Sequence, residues 1–140
     1  WALAGVWGRE VHVLDAHRKY VRAPVGANEP LSMWSNRWST MPLHDFPDLR
    51  LPNPDGRAGL DHMPGPDIPV IRQPFVDGDL LPFWGYAETL ETLCFDRSED
   101  PGEAHDLCGT GAEDDMAELL RVALTEISAP DDQLARLGLA

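Results

Sequence analysis

The stretch Glu91-Thr-Leu-Cys-Phe-Asp-Arg-Ser-Glu-Asp-Pro-Gly-Glu-Ala-His-Asp-Leu-Cys-Gly109 decides how this chain folds. Thr92 to Phe95 are β-prone and mostly apolar and read as a strand over about 92–96. Asp100-Pro101-Gly102 supplies a corner, because proline presets the φ of a turn's first central position and glycine accepts any conformation at the second. Next comes Thr110-Gly111-Ala112-Glu113, a capping-box pattern in which a hydroxyl and a carboxylate satisfy the free N–H groups of a helix start. Met116, Leu119, Leu120, Ala123, Leu124 and Ile127 then recur at three-and-four spacing, so a helix over about 112–128 lays one apolar stripe on a sheet. Ser128-Ala129-Pro130 stops it, and a short second helix over 130–137 ends at Gly138.

Working outward towards the N-terminus, GREVHVLDAHRKYVRAP, Gly8 to Pro24, alternates with period two. Val11 and Val13 share one face, while Glu10, His12 and Leu14 share the other. A polar turn at Asp15 to Arg18 and a second β-prone run ended by Pro24 predict a hairpin over about 9–23. Between 24 and 90 neither period persists, and most of the 13 prolines fall there, so this segment reads as irregular. Met33, Trp34, Trp38, Met41, Leu43 and Phe46 are too apolar for a tether and are expected to pack on another surface. The expected fold class is α+β: a small antiparallel sheet covered by a C-terminal helix, with a long irregular Pro/Trp-rich excursion.

At 140 residues the chain suits one domain. Its formal charge of −13, from 24 acidic and 11 basic residues, opposes a polyanion-binding surface and excludes nucleic acid as the natural partner. No apolar run reaches the roughly 18–20 residues of a membrane span. The chain opens on Trp1 without a methionine or a leader pattern, and is expected to be a segment of something longer. His105-x-x-Cys108 has zinc-like spacing but no second close pair, so no metal site is assigned. Cys94 and Cys108 read as two thiols, with a disulfide as the alternative. There is no phosphate-cradling loop, nucleophile elbow or paired-histidine motif, and nothing reads as a self-contained active site.

Three stretches resemble the C-terminal subdomain of the sulfatase family in the alkaline-phosphatase superfamily. Gly8 to Pro24 is similar to its hairpin ending in Y-x-R-x-P, carried here by Tyr20, Arg22 and Pro24. NEPLSMWSNRWSTMPLH, Asn28 to His44, is similar to its N-x-P-L…M-P-x-H segment. LCFDRSEDPGEAHDL, Leu93 to Leu107, resembles its L-(Y/F)-D-L-x-x-D-P-x-E-x-x-N-L signature, with Arg97 and Asp106 departing from leucine and asparagine. The resemblance implies that the signature turns the last strand of a small sheet into the C-terminal helix, with Glu103 placing charge near the helix start.

It also implies a parent enzyme that hydrolyses a sulfate ester of a small substrate, using a formylglycine and a divalent cation, calcium, both from an N-terminal catalytic domain that this segment lacks. Cys94 cannot be the formylglycine precursor, because Asp96 and Ser98 stand where the C/S-x-P-x-R motif needs proline and arginine. The segment is therefore expected to carry no catalytic residue and no cofactor of its own. Its expected partner is the catalytic domain, and its expected contribution is stability and one wall of the substrate pocket. His44 is the first substrate-binding candidate, since histidine donates to anionic oxygens near neutral pH. Arg37 comes second as a charge-assisted donor and Trp34 third as an apolar platform. The competing expectation is a free-standing acidic interaction module with Trp34 and Trp38 as a contact surface for a protein or glycan.

Overall fold

The computed structural model describes residues 1–35, 59–62, 67–76 and 91–140. The alternating segment forms strands β2 (Val11–Leu14) and β3 (Arg18–Arg22) of an antiparallel hairpin. Asp15 builds its turn, one carboxylate oxygen accepting the N–H groups of His17 and Arg18 at 2.8 and 2.6 Å. An edge strand, β1 (Ala2–Gly5), pairs with β2, and β7 (Leu93–Asp96) pairs with β3, which gives the order β1-β2-β3-β7. Strand β1 carries no sequence signal of its own. Its Ala-Leu-Ala-Gly has little β-propensity, and its conformation comes from pairing with β2.

Register places Leu3, Val13, Tyr20 and Cys94 side by side on one face. Helix α1 (Gly111–Glu126) covers that face with Met116, Leu120, Ala123 and Leu124. Burying each large side chain there contributes about 1.5–3 kcal/mol. The helix opens as its cap pattern predicts: Thr110 Oγ1 accepts the N–H of Ala112 at 3.3 Å, and Glu113 accepts the N–H of Gly109 at 2.7 Å. The glutamate thus reaches one residue further back than in a standard capping box. Helix α2 (Asp131–Arg136) comes after a short break and lowers Leu137 into the same core.

Where residues of 24–90 are described, most form a second sheet, which corrects the expectation of an irregular segment for those residues alone. Strands β4 (Leu31–Ser35), β5 (Gly59–His62) and β6 (Pro69–Phe75) pair antiparallel in the order β4-β6-β5. The prolines are tolerated because of where they fall. Pro69 is the first residue of β6, and Pro74, opposite Ser32 of β4, lies past the stretch of β6 that pairs with β5. The stretches 36–58, 63–66 and 77–90 lie outside the described residues. Trp7 joins the two sheets: its Nε1 donates to the Ser32 carbonyl at 2.9 Å, and its ring meets Phe75 edge-on at 5.1 Å.

The stripe assignment is checked by a pair of variants. Leu120→Asp puts a charge into the centre of the core and should cost ~4 kcal/mol or more. Glu118→Lys, on the outer face where Glu118 holds Arg121, should leave the denaturation midpoint nearly unchanged. Equal midpoint losses would overturn the packing of α1.

Candidate functional site

The stretch from Leu93 to Leu107 builds a corner, and Asp96, Asp100, Glu103 and Asp106 each have a structural task there. Asp96 at the end of β7 accepts from the N–H and hydroxyl of Ser98. The Asp100 carbonyl accepts the N–H of Glu103 at 3.1 Å, closing a turn around Pro101-Gly102, while the Asp100 carboxylate takes the N–H of His105. The chain then folds back along the outer edge of β7. Asp106 Oδ1 accepts the N–H of Cys94 at 2.9 Å, and the N–H of Leu107 donates to the Cys94 carbonyl at 2.8 Å. An asparagine at this position could make the same bond, because its side chain offers an equivalent acceptor oxygen.

Glu103 differs from its expected task. It sits well before Gly111, the first residue of α1, and reaches across the sheet to pair with Lys19 at 2.5 Å and with Arg97 at 3.6 Å. Lys19 in turn lies over the Phe95 ring at 5.8 Å. Hydrogen bonds to backbone and hydroxyl donors fix the corner's aspartates in the ionised form. The N–H of Cys94 first, and then that of Cys108, hold Asp106 below the usual carboxylate value. Ser98 does the same for Asp96, and the N–H of His105 for Asp100.

Among the described residues a concave site lies where β4, β6 and α2 meet. Trp34 on β4 stands opposite Arg72 on β6, whose guanidinium lies 5.3 Å from the indole centroid. Arg72 Nε donates to Ser32 Oγ at 3.1 Å, and Nη2 pairs with Asp132 at the start of α2. Ser32 Oγ also donates to Asp132 at 3.2 Å. A cavity of about 290 Å³ opens beside this group, walled by Trp7, Leu31 and Trp34 and reaching Arg136. Another of about 260 Å³ lies next to it, between Trp34, His62, Arg72 and Asp132.

Of the sequence-derived candidates, Trp34 is placed in this cleft, whereas Arg37 and His44 lie outside the described residues. Trp7, Ser32, Arg72, Asp132 and Arg136 were not anticipated. Arg72 and Asp132 are 60 positions apart, and no local pattern announces their pairing. Both cysteines are free, the Cys94 side chain being fully buried in the core and the Cys108 thiol donating to the Thr92 carbonyl at 3.3 Å. Burial, reinforced by Asp106, pushes the Cys108 thiol up to about 12, which keeps it protonated and unreactive at neutral pH. Among the described residues no group of three or more histidine, cysteine or acidic side chains is arranged to hold a metal ion, and no helix is long and apolar enough to cross a membrane.

No family model, curated protein or solved structure matches this chain.

Asp106 predicts an acid-sensitive corner. Its carboxyl has a lower pKa folded than the ordinary 3.8, so its contribution is complete above that pH and is lost as the pH falls through the folded value. Asp106→Asn keeps the acceptor and should flatten the loss of stability below pH 3.8. Asp106→Ala leaves the buried Cys94 N–H unsatisfied and should cost about 1–3 kcal/mol at neutral pH. Denaturant midpoints measured across pH 2–7 check both variants; identical acid profiles for the native chain and Asp106→Asn would refute this role.

Proposed function

We propose that the chain is the C-terminal subdomain of a sulfatase-like hydrolase, contributing stability and part of a substrate pocket to an enzyme that cleaves sulfate esters. The observation that carries the reading is the corner from Leu93 to Leu107. Its signature residues make the bonds by which a last strand becomes a C-terminal helix packed on the same sheet. The hairpin residues support it from the other side: Tyr20 donates to Glu113 of α1 at 3.3 Å, and Arg22 Nε donates to the Leu137 carbonyl at 2.8 Å.

The residues present do not fit the catalytic groups such an enzyme needs. Cys94, the cysteine within the signature, has no solvent exposure, and conversion to a formylglycine would put an aldehyde hydrate in the apolar core. The nucleophile and the cation would therefore come from a catalytic domain outside this chain. The segment's own part is positional: Trp34 offers an apolar wall, and Arg72, held against its ring, keeps that wall flat and partly charged.

Aryl sulfate hydrolysis by the intact protein tests the proposal. The intact protein should turn over 4-nitrophenyl sulfate with dependence on a divalent cation, and residues 1–140 alone should not. Trp34→Ala should raise KM several-fold with the melting temperature nearly unchanged, since the side chain is only partly buried. His44→Ala should lower kcat/KM by about tenfold, the scale of one lost polar contact. An intact protein that binds a protein or glycan through Trp34 and hydrolyses no sulfate ester would instead establish the interaction-module reading.

A further inference from the structure

Arg136 is a buried cation with neutral partners. The residue is 2% exposed, and its acceptors are the Arg9 carbonyl at 3.0 Å, Asn28 Oδ1 at 2.7 Å and Gln133 Oε1 at 3.1 Å. No carboxylate is among them. Burial draws its pKa down to about 10, which still leaves it charged at neutral pH. These bonds use Nε and Nη1, and Nη2 makes none among the described residues. A guanidinium so placed costs desolvation that an apolar side chain of similar volume would avoid, so the fold alone does not call for it.

The surroundings give the charge a use. Arg136 lines the cavity of about 290 Å³. Among the described residues Asp132 is the one carboxylate on its wall, and it is already matched by Arg72. The cleft therefore keeps one uncompensated positive charge within a chain of net charge −13. Trp7 and Trp34 flank it, and because Trp7 Nε1 is spent on the Ser32 carbonyl, its ring presents only an apolar surface to the cleft. The volume of about 290 Å³ lies just below the roughly 300–1,000 Å³ range of small-molecule clefts, which suits a ligand with one ring.

We propose that this cleft binds a small organic anion, its charged oxygens taking the Nη2 donors of Arg136 and its ring lying against Trp7 and Trp34. A charge-assisted bond to a guanidinium that is itself buried gives selectivity for the anion over its neutral isostere. The cleft holds such an anion whether or not the chain belongs to a hydrolase, because no catalytic group takes part.

The intact protein is titrated with benzoate and, separately, with benzyl alcohol. The indole N–H signals of Trp7 and Trp34 are tracked, identified by Trp7→Phe and Trp34→Phe. Benzoate should move both signals saturably, and benzyl alcohol should bind at least about tenfold more weakly. Arg136→Lys keeps a charge but loses the planar fork, and should weaken benzoate about tenfold or more. Equal binding of the two ligands, no response to benzoate, or a folded Arg136→Lys variant with unchanged affinity would each overturn the proposal. Where Arg136→Lys does not fold, the comparison of the two ligands on the native protein decides alone. The titration does not read turnover of sulfate esters, so its outcome stands apart from the hydrolysis assay: benzoate selectivity sustains the anion site even where that assay finds no sulfatase activity.

Discussion

The backbone of Cys94 is the point on which the larger sheet depends. Its N–H and carbonyl face away from β3, towards what would be a raw sheet edge, and Asp106 and Leu107 take them. An unpaired edge of this kind invites pairing with another chain. Here a carboxylate stands in for one strand partner and a backbone N–H for the other, so the edge is closed without a fifth strand. Folding back to make these two bonds also points the chain at Thr110, which starts α1 over the apolar face.

That closure would mean little if the helix could slide. Tyr20, Arg22 and Glu113 prevent it, because they join β3 to the first turn of α1 and, through the Leu137 carbonyl, to the end of α2. Tyr20 is fully buried, and burial raises its phenol pKa, so it remains a neutral donor and acceptor throughout the ordinary pH range. With α2 anchored at its C-terminal end, Asp132 is held where it meets Arg72, and Arg136 is held where it meets Arg9 and Asn28. The shape of the cleft is thus inherited from the hairpin.

How much of this could be read in the amino-acid order depends on how local each signal is. The hairpin, the 92–96 strand and both helices announce themselves within a few residues, by alternation, by a corner or by a cap, and all lie close to their expected positions. Strand β1 and the sheet of β4, β5 and β6 do not, since each acquires its conformation from a partner elsewhere in the chain. Glu103 was misplaced for a related reason: proximity to a helix suggested a dipole role, whereas its partner Lys19 lies 84 positions away. Of the cleft only Trp34 was legible. An aromatic residue in a proline-rich stretch stands out by type, but Arg72, Asp132 and Arg136 look like ordinary surface charges until the fold assembles them.

The bonds that tie Tyr20 and Arg22 to the helices span 93 and 115 positions of sequence. Contacts this distant require large loops to close before they reward the chain, and so they slow folding. During synthesis at about 5–20 residues per second, the β2–β3 hairpin waits several seconds for the segments that will bury it. Over that interval Val13 and Tyr20 present their apolar face to the cell. The yield of folded chain should accordingly depend on how soon these distant contacts close as well as on the stability of the finished fold.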